Sequence, residues 1–213
     1  MKTYLFDFDG TLVDSMPTYV SVMLRILDET GTPYDKSIVK IITPLGFKDT
    51  ARYFVNIGVP LSYDEIVERM GLYAIDEYLY NIEAKPGVTD ALMELKKSGY
   101  SLNVLTASPH VTLDPCLKRL GLFDLFDNVW SCNDFDTNKS DPGIYLQAAE
   151  RLGVPISDVI FLDDNTEADR AAVAAGAVVV GVYDPSSAEY EEEMRAITHA
   201  YIRDFSELLS LKL

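Results

Sequence analysis

The sequence predicts an α/β fold, a doubly wound parallel sheet into which a helical bundle is inserted. Three observations carry this. Short apolar runs rich in Val, Ile and aromatic residues recur along the chain and end at turn residues; from residue 87 onward they alternate with helical segments; between residues 15 and 85 helical segments follow one another with no strand between them. With 213 residues, 48% of them hydrophobic, the chain can bury one sizeable core and a small appended domain.

Taken in order, the first strand is TYLFDF (3–8). SLNVLT (101–106), NVWSC (128–132), VIFLD (159–163) and VVVGVY (178–183) follow, and HAYIRDF (199–205) offers a weaker edge strand. Their apolar residues are consecutive rather than alternating, the pattern of strands buried on both faces. GVTDALMELKKSG (87–99), YLQAAERLG (145–153) and EADRAAVAAG (167–176) read as the intervening helices, joined to the strands by right-handed crossovers. The insert is built from MPTYVSVMLRILDETG (16–31), DTARYFVNIG (49–58) and YDEIVERMGLYAIDEYL (63–79), and AKPG (84–87) closes it with a turn. The expected division is a Rossmann-like core at 1–14 and 86–213 and a helical domain at 15–85.

Charge and cysteine content narrow the function classes. Asp and Glu number 34 against 18 Lys and Arg, a formal charge of −16 that would repel a nucleic-acid backbone. Much of that charge is expected on solvated surface, EYEEEMR (189–195) among it. Cys116 and Cys132 lack CxxC spacing and histidine partners, so buried thiols are expected rather than a disulfide or a zinc site. No apolar stretch approaches the roughly 20 residues of a membrane span, and MKTYLFDFDG lacks the apolar core of a secretory signal. A cytoplasmic protein without nucleic-acid or membrane partners is expected, and its oligomeric state is left open.

In doubly wound sheets, ligands sit beyond the carboxyl ends of the strands, where strand order reverses. The polar residues of this chain fall at those ends. Asp7 and Asp9 end the first strand, Thr106, Ala107 and Ser108 the second, Asp163 and Asp164 the fourth, and Lys139 lies in the polar loop DFDTNKSDPG (134–143). In that order DFDGT (7–11), LTAS (105–108), Lys139 and LDD (162–164) resemble the four motifs of the haloacid dehalogenase superfamily. The insert resembles that family's C1-type cap, and FDFDGTLVDS (6–15) is most similar to the phosphoglycolate phosphatase and beta-phosphoglucomutase branch.

The resemblance implies a Mg²⁺-dependent phosphatase acting on a small phosphorylated metabolite. Asp7 would attack phosphorus and become an aspartyl-phosphate; Asp9, two residues on and on the same face of the strand, would protonate the leaving alcohol and later accept a proton from water. Two such close carboxylates call for a cation, and an all-oxygen ligand set suits magnesium. By resemblance Asp7 gives a side-chain oxygen, Asp9 its backbone carbonyl, and Asp163 and Asp164 the remainder, with Asp164 favoured as the direct ligand. Lys139 would keep Asp7 ionised and face the phosphoryl oxygens, while Thr106, Ala107, Ser108 and Gly10 would help to bind them.

One departure is visible: the third motif commonly reads Lys-Pro, whereas Lys139 is followed by Ser140 and the proline stands at 142. Lys48 stands where related caps project a cation toward substrate, with Arg52 a weaker candidate. Glu167 and Asp169 are expected to be helix N-terminal residues, and His110 an exposed loop residue. The mutase alternative is disfavoured because the position at which mutases carry a hinge histidine corresponds to Tyr19. A dehalogenase, which does not use an acid such as Asp9, is disfavoured further. An inert relative that binds a phosphorylated ligand would need a defect in the core motifs, and none is seen.

Overall fold

The structure, a computed structural model, describes residues 2–43 and 45–212. The chain forms two compact units, one of Met1–Asp14 with Glu83–Leu213, the other of Ser15–Ile82.

The larger unit is built on a parallel sheet of β1 (Thr3–Phe6), β2 (Ser101–Thr106), β3 (Asn128–Ser131), β4 (Val159–Asp163), β5 (Val178–Val182) and β6 (Ala200–Ile202), in the order β3-β2-β1-β4-β5-β6. The predicted doubly wound sheet is present, edge strand β6 included. Strand order reverses at β1, between β2 and β4, so the ligand crevice of this topology opens beyond β1 and β4. Phe6 is in register with Leu162, and the Asp7 amide continues the ladder by donating to the Leu162 carbonyl at 2.9 Å. The next pair in that register is Asp7 and Asp163.

Both sheet faces are covered, which is why the strands read as unbroken apolar runs. On one face Leu5, Leu105, Phe161 and Val179 pack with Ile144 and Tyr145 of α7 (Pro142–Leu152) and with Ala168, Ala171 and Ala172 of α8 (Thr166–Ala175). The Tyr145 and Phe161 rings meet edge-on at 4.8 Å, and the alanines let α8 lie close to the strands. On the other face Tyr4 and Phe6 meet the rings of Tyr100, Phe126 and Phe205.

Helix α5 (Val88–Lys97) precedes β2, and α6 (His110–Arg119) follows it. The sequence gives little sign of α6, because Pro115 lies inside it and forfeits a backbone donor. The displaced proline of the third motif starts α7: Pro142 is its first residue, and the Asp141 carboxylate caps it by accepting from the Gly143 amide at 2.8 Å. The acidic run 189–195 is only partly a solvated surface, since α9 (Glu191–Ile197) buries Met194 completely.

The smaller unit contains α1 (Met16–Thr30), α2 (Ile38–Ile42), α3 (Phe47–Asn56) and α4 (Tyr63–Tyr80). Val22, Met23, Ile26 and Leu27 form one stripe of α1 and share a core with Ile42, Phe54, Ile66 and Met70. Helix α4 opens on a capping box in which Ser62 and Glu65 satisfy each other's backbone amides. Among the described residues no helix is long and apolar enough to cross a membrane.

Candidate active site

The turn after β1 sets the geometry. Buried Phe8 offers its carbonyl to the amides of Leu12 (2.9 Å) and Val13 (3.0 Å), and the Gly10 amide donates to the Val13 carbonyl at 3.0 Å. Gly10 adopts φ +74°, and a Cβ at this position would stand 2.4 Å from Asp164 Oδ2, so both conformation and space require glycine. This tight turn leaves Asp7 buried at the end of β1 and Asp9 half-buried.

Asp7, Asp163 and Asp164 are all buried, and each offers a carboxylate oxygen within 4.8 Å of the others. Lys139 Nζ lies 2.6 Å from Asp7 Oδ1 and donates to Asp163 Oδ2 at 2.7 Å. The second oxygen of Asp163 accepts from the Asn165 amide at 2.8 Å, while Asp164 Oδ1 accepts from the Thr11 hydroxyl at 2.9 Å. Asn165 caps α8, so the acidic pair is fixed by β4 on one side and the helix start on the other. Behind Lys139 the buried Tyr145 hydroxyl reaches the Lys139 carbonyl at 2.9 Å, which anchors the loop that delivers the lysine. Ser108 donates its hydroxyl hydrogen to the Asp9 carboxylate, and the Ser108 amide donates to Thr106 Oγ1 at 3.1 Å. Thr106 is buried and Ala107 exposed. Asp7 and the pair Asp163 and Asp164, from two strand ends, and Lys139, from the polar loop, are brought together, and Asp9 follows Asp7 in the turn with its carboxylate held by Ser108.

One lysine does not offset this much negative charge. Burial, followed by the Asp163 charge, pushes the Asp7 carboxyl up to about 7, against the lowering effect of Lys139. Asp164 is held well above the usual carboxylate range by burial and by Asp163 and Asp7. Burial would depress the Lys139 ammonium, but the Asp163 and Asp7 carboxylates outweigh it and hold the lysine well above its ordinary value. The set therefore demands either protons or a further cation. Asp7 Oδ1, although ion-paired, accepts no aligned hydrogen bond among the described residues, so the triad offers oxygen donors to a hard divalent ion.

The sequence pattern of the haloacid dehalogenase-like hydrolases matches residues 4–182. The chain belongs to that family. It is 30% identical over 213 residues to the phosphoglycolate phosphatase of Nitrosospira multiformis, covering 92% of this chain and 91% of that protein. It is 27% identical over 207 residues to the validoxylamine A 7'-phosphate phosphatase of Streptomyces hygroscopicus subsp. limoneus, covering 97% and 95% of the two chains. A solved structure from Thermotoga maritima, provisionally described as a beta-phosphoglucomutase, superposes with a TM-score of 0.86 at 25% identity over 99% of this chain and 97% of that one.

As a haloacid dehalogenase-like hydrolase, the chain carries several features that sequence reasoning placed differently. His110 is not a loop residue: it opens α6, with Nδ1 2.7 Å from Asp114 and Nε2 2.9 Å from Asp134, and those two contacts raise its pKa. Glu167 and Asp169 are first-turn residues of α8 as expected, but whereas Glu167 is exposed, Asp169 is fully buried and neither of its oxygens has a hydrogen-bond partner among the described residues. Burial and the charges of Asp163 and Asp164 push Asp169 up to about 9. In the smaller unit Lys48 and Arg52 are exposed, Arg52 pairing with Asp49 at 2.5 Å, and Tyr19 stacks on Phe47 at 4.7 Å. Lys85, which the sequence offers only as part of a turn, is partly buried at the foot of the first-motif loop.

Proposed function

We propose that this hydrolase is a Mg²⁺-dependent phosphatase that cleaves small phosphomonoesters through an aspartyl-phosphate on Asp7. The carrying observation is the ion pair of Lys139 with Asp7 inside the buried Asp7–Asp163–Asp164 cluster, a nucleophilic carboxylate kept available where burial alone would protonate it.

Asp7 and Asp164 side chains and the Asp9 carbonyl would hold the metal. Asp164 suits direct ligation better than Asp163, because both oxygens of Asp163 are already engaged by Lys139 and the Asn165 amide. When bound, Mg²⁺ supplies the positive charge that lets the carboxylates stay ionised beside a phosphoryl group. A carboxylate oxygen of Asp7 attacks phosphorus, the phosphorus–alkoxide bond breaks, and Asp9 gives its proton to the departing alkoxide. Asp9 then takes a proton from water, whose oxygen attacks phosphorus and releases Asp7 and inorganic phosphate. Ser108 orients Asp9 for both transfers. Lys139, the Ala107 amide and the Thr106 hydroxyl face the phosphoryl oxygens; Thr106 Oγ1 accepts from the Ser108 amide and keeps its own hydrogen to donate.

The relatives reported above act, by name, on phosphoglycolate and on validoxylamine A 7'-phosphate, which supports a small phosphorylated metabolite as the substrate class. Selection within that class is assigned to the Ser15–Ile82 unit, with Lys48 as the contact to test. A mutase is the weaker reading: Tyr19, at the hinge-histidine position, stacks on Phe47 and offers no imidazole. The test is phosphate release from phosphoglycolate, hexose phosphates and beta-glucose 1-phosphate, with Mg²⁺ and with a chelator. Chelator-insensitive release, release by Asp7→Asn at the wild-type rate, or isomerisation of glucose 1-phosphate without free phosphate would each overturn the proposal.

A further inference from the structure

The side chain of Lys85 is only 12% exposed, and its ammonium has three acceptors: the Gly10 carbonyl at 2.6 Å, the Tyr183 carbonyl at 2.6 Å and Asp184 Oδ2 at 3.1 Å. An ammonium has three hydrogens, so its donor capacity is fully used. Asp184, itself buried, cancels the lysine's charge and is oriented by the Ser186 amide and hydroxyl on its other oxygen. The backbone is engaged as well: the Lys85 amide donates to the Leu12 carbonyl at 3.0 Å, beside the Val13–Ala84 bridge and the Asp14 amide bond to the Glu83 carbonyl. Lys85 thus ties the first-motif turn to the segment following β5, spanning 75 residues to Gly10 and 98 to Tyr183.

Gly10 directly follows Asp9. Its amide is fixed by Val13 and its carbonyl by Lys85, so the two together determine how the peptide beyond Asp9 is turned. The Asp164 carboxylate fills the space on the Cβ side of Gly10, leaving the turn no room to relax toward the acidic cluster. An acid that must first give and then take a proton has to be held within about 0.5 Å and 10–20° of its working geometry, and misplacement by about 1 Å can cost about a hundredfold in rate.

We propose that Lys85 is a positioning residue: its ammonium, neutralised by Asp184, clamps the Gly10 carbonyl and thereby sets the reach of Asp9. The role is geometric, because a cation already paired with a buried carboxylate contributes little net field. It rests on the reading of Asp9 as the acid and base of a phosphatase.

The test compares full-length wild type, Lys85→Gln and Lys85→Arg. Hydrolysis of p-nitrophenyl phosphate with Mg²⁺ is measured beside amide hydrogen exchange of the metal-free proteins. Lys85→Gln is expected to lower kcat about tenfold with KM within about twofold, and Lys85→Arg, which keeps several donors, to restore most of it. Exchange at the Gly10, Leu12 and Val13 amides should quicken about tenfold in Lys85→Gln, with β2 and β3 unchanged as the control for global loosening. Unchanged kcat in folded Lys85→Gln overturns the proposal, as does an arginine variant no better than glutamine. If the wild type releases no phosphate, the phosphatase reading fails by itself; exchange at those amides then decides, and unaltered protection defeats the clamp.

Discussion

Lys139 donates to Asp163 at 2.7 Å with both side chains withdrawn from solvent, and the same ammonium is the ion-pair partner of Asp7. Removing one partner of a buried pair leaves the other charge uncompensated, at a cost of about 3–5 kcal/mol. Lys139→Met should therefore unfold at lower urea concentration when metal-free. Phosphate release should fall at least about a hundredfold, the order seen when one donor to a developing oxyanion is lost. Urea titration and steady-state kinetics check the two effects; a variant with wild-type kcat would remove Lys139 from the chemistry.

Metal binding and pH should be linked through Asp7. Its carboxyl is pushed up to about 7 in the fold, whereas an unfolded aspartate titrates near ~3.9. The folded chain then binds more protons over that interval, so this group's contribution to metal-free stability is greatest in acid and is lost as pH rises through about 7. Mg²⁺ bound at Asp7 would compete with those protons, and its affinity should rise over the same window. Thermal melts with and without Mg²⁺ are expected to show a larger stabilising shift at pH 8 than at pH 5.5. Equal shifts at both values would remove Asp7 from the ligand set.

The Thr11 hydroxyl donates to Asp164 Oδ1 at 2.9 Å, and both residues are buried. If Asp164 is a direct metal ligand, this bond orients it, and loss of such an outer partner typically weakens metal affinity by about 10–100-fold. Thr11→Val keeps the shape and removes the donor. Activity titrated against Mg²⁺ should show half-saturation shifted upward by at least about tenfold, with kcat at saturating Mg²⁺ much less affected. An unshifted titration would assign Thr11–Asp164 to the fold alone.

The sheet and the meeting of Asp7, Lys139, Asp163 and Asp164 were legible because each of these residues follows an apolar run or lies in a polar loop between elements, and parallel topology gathers strand ends. Helix α6 was not, since Pro115 contradicts local propensity and its compensation, the burial of Thr112, Leu113, Cys116 and Leu117, is tertiary. Lys85 was hidden for another reason: two of its three acceptors are main-chain carbonyls far away in sequence, which carry no residue signature. Asp169 lies in the first turn of α8 as expected, but its burial was not legible, because an acid there is ordinarily a solvated partner of the helix dipole. Here the face of α8 that carries Ala168, Ala171 and Ala172 turns it inward.

That burial makes Asp169 the most exacting test of the electrostatics. Its carboxyl has no hydrogen-bond partner among the described residues, and burial with the Asp163 and Asp164 charges pushes it up to about 9. Between about pH 4 and 9 the folded chain keeps a proton that the unfolded chain releases, so this residue lowers stability progressively as pH rises, by up to about 1.4 kcal/mol per pH unit. Asp169→Asn preserves shape and does not titrate; Asp169→Leu removes the polar group as well. Each variant's stability relative to wild type is offset by a pH-independent packing term, so the slope carries the information. In chelator-treated protein, urea unfolding at pH 5, 7 and 8.5 should show both variants gaining on wild type at each step. Stability curves that run parallel across that range would mean that Asp169 ionises in the fold as it does in water, and that the acidic cluster tolerates its own charge without a cation.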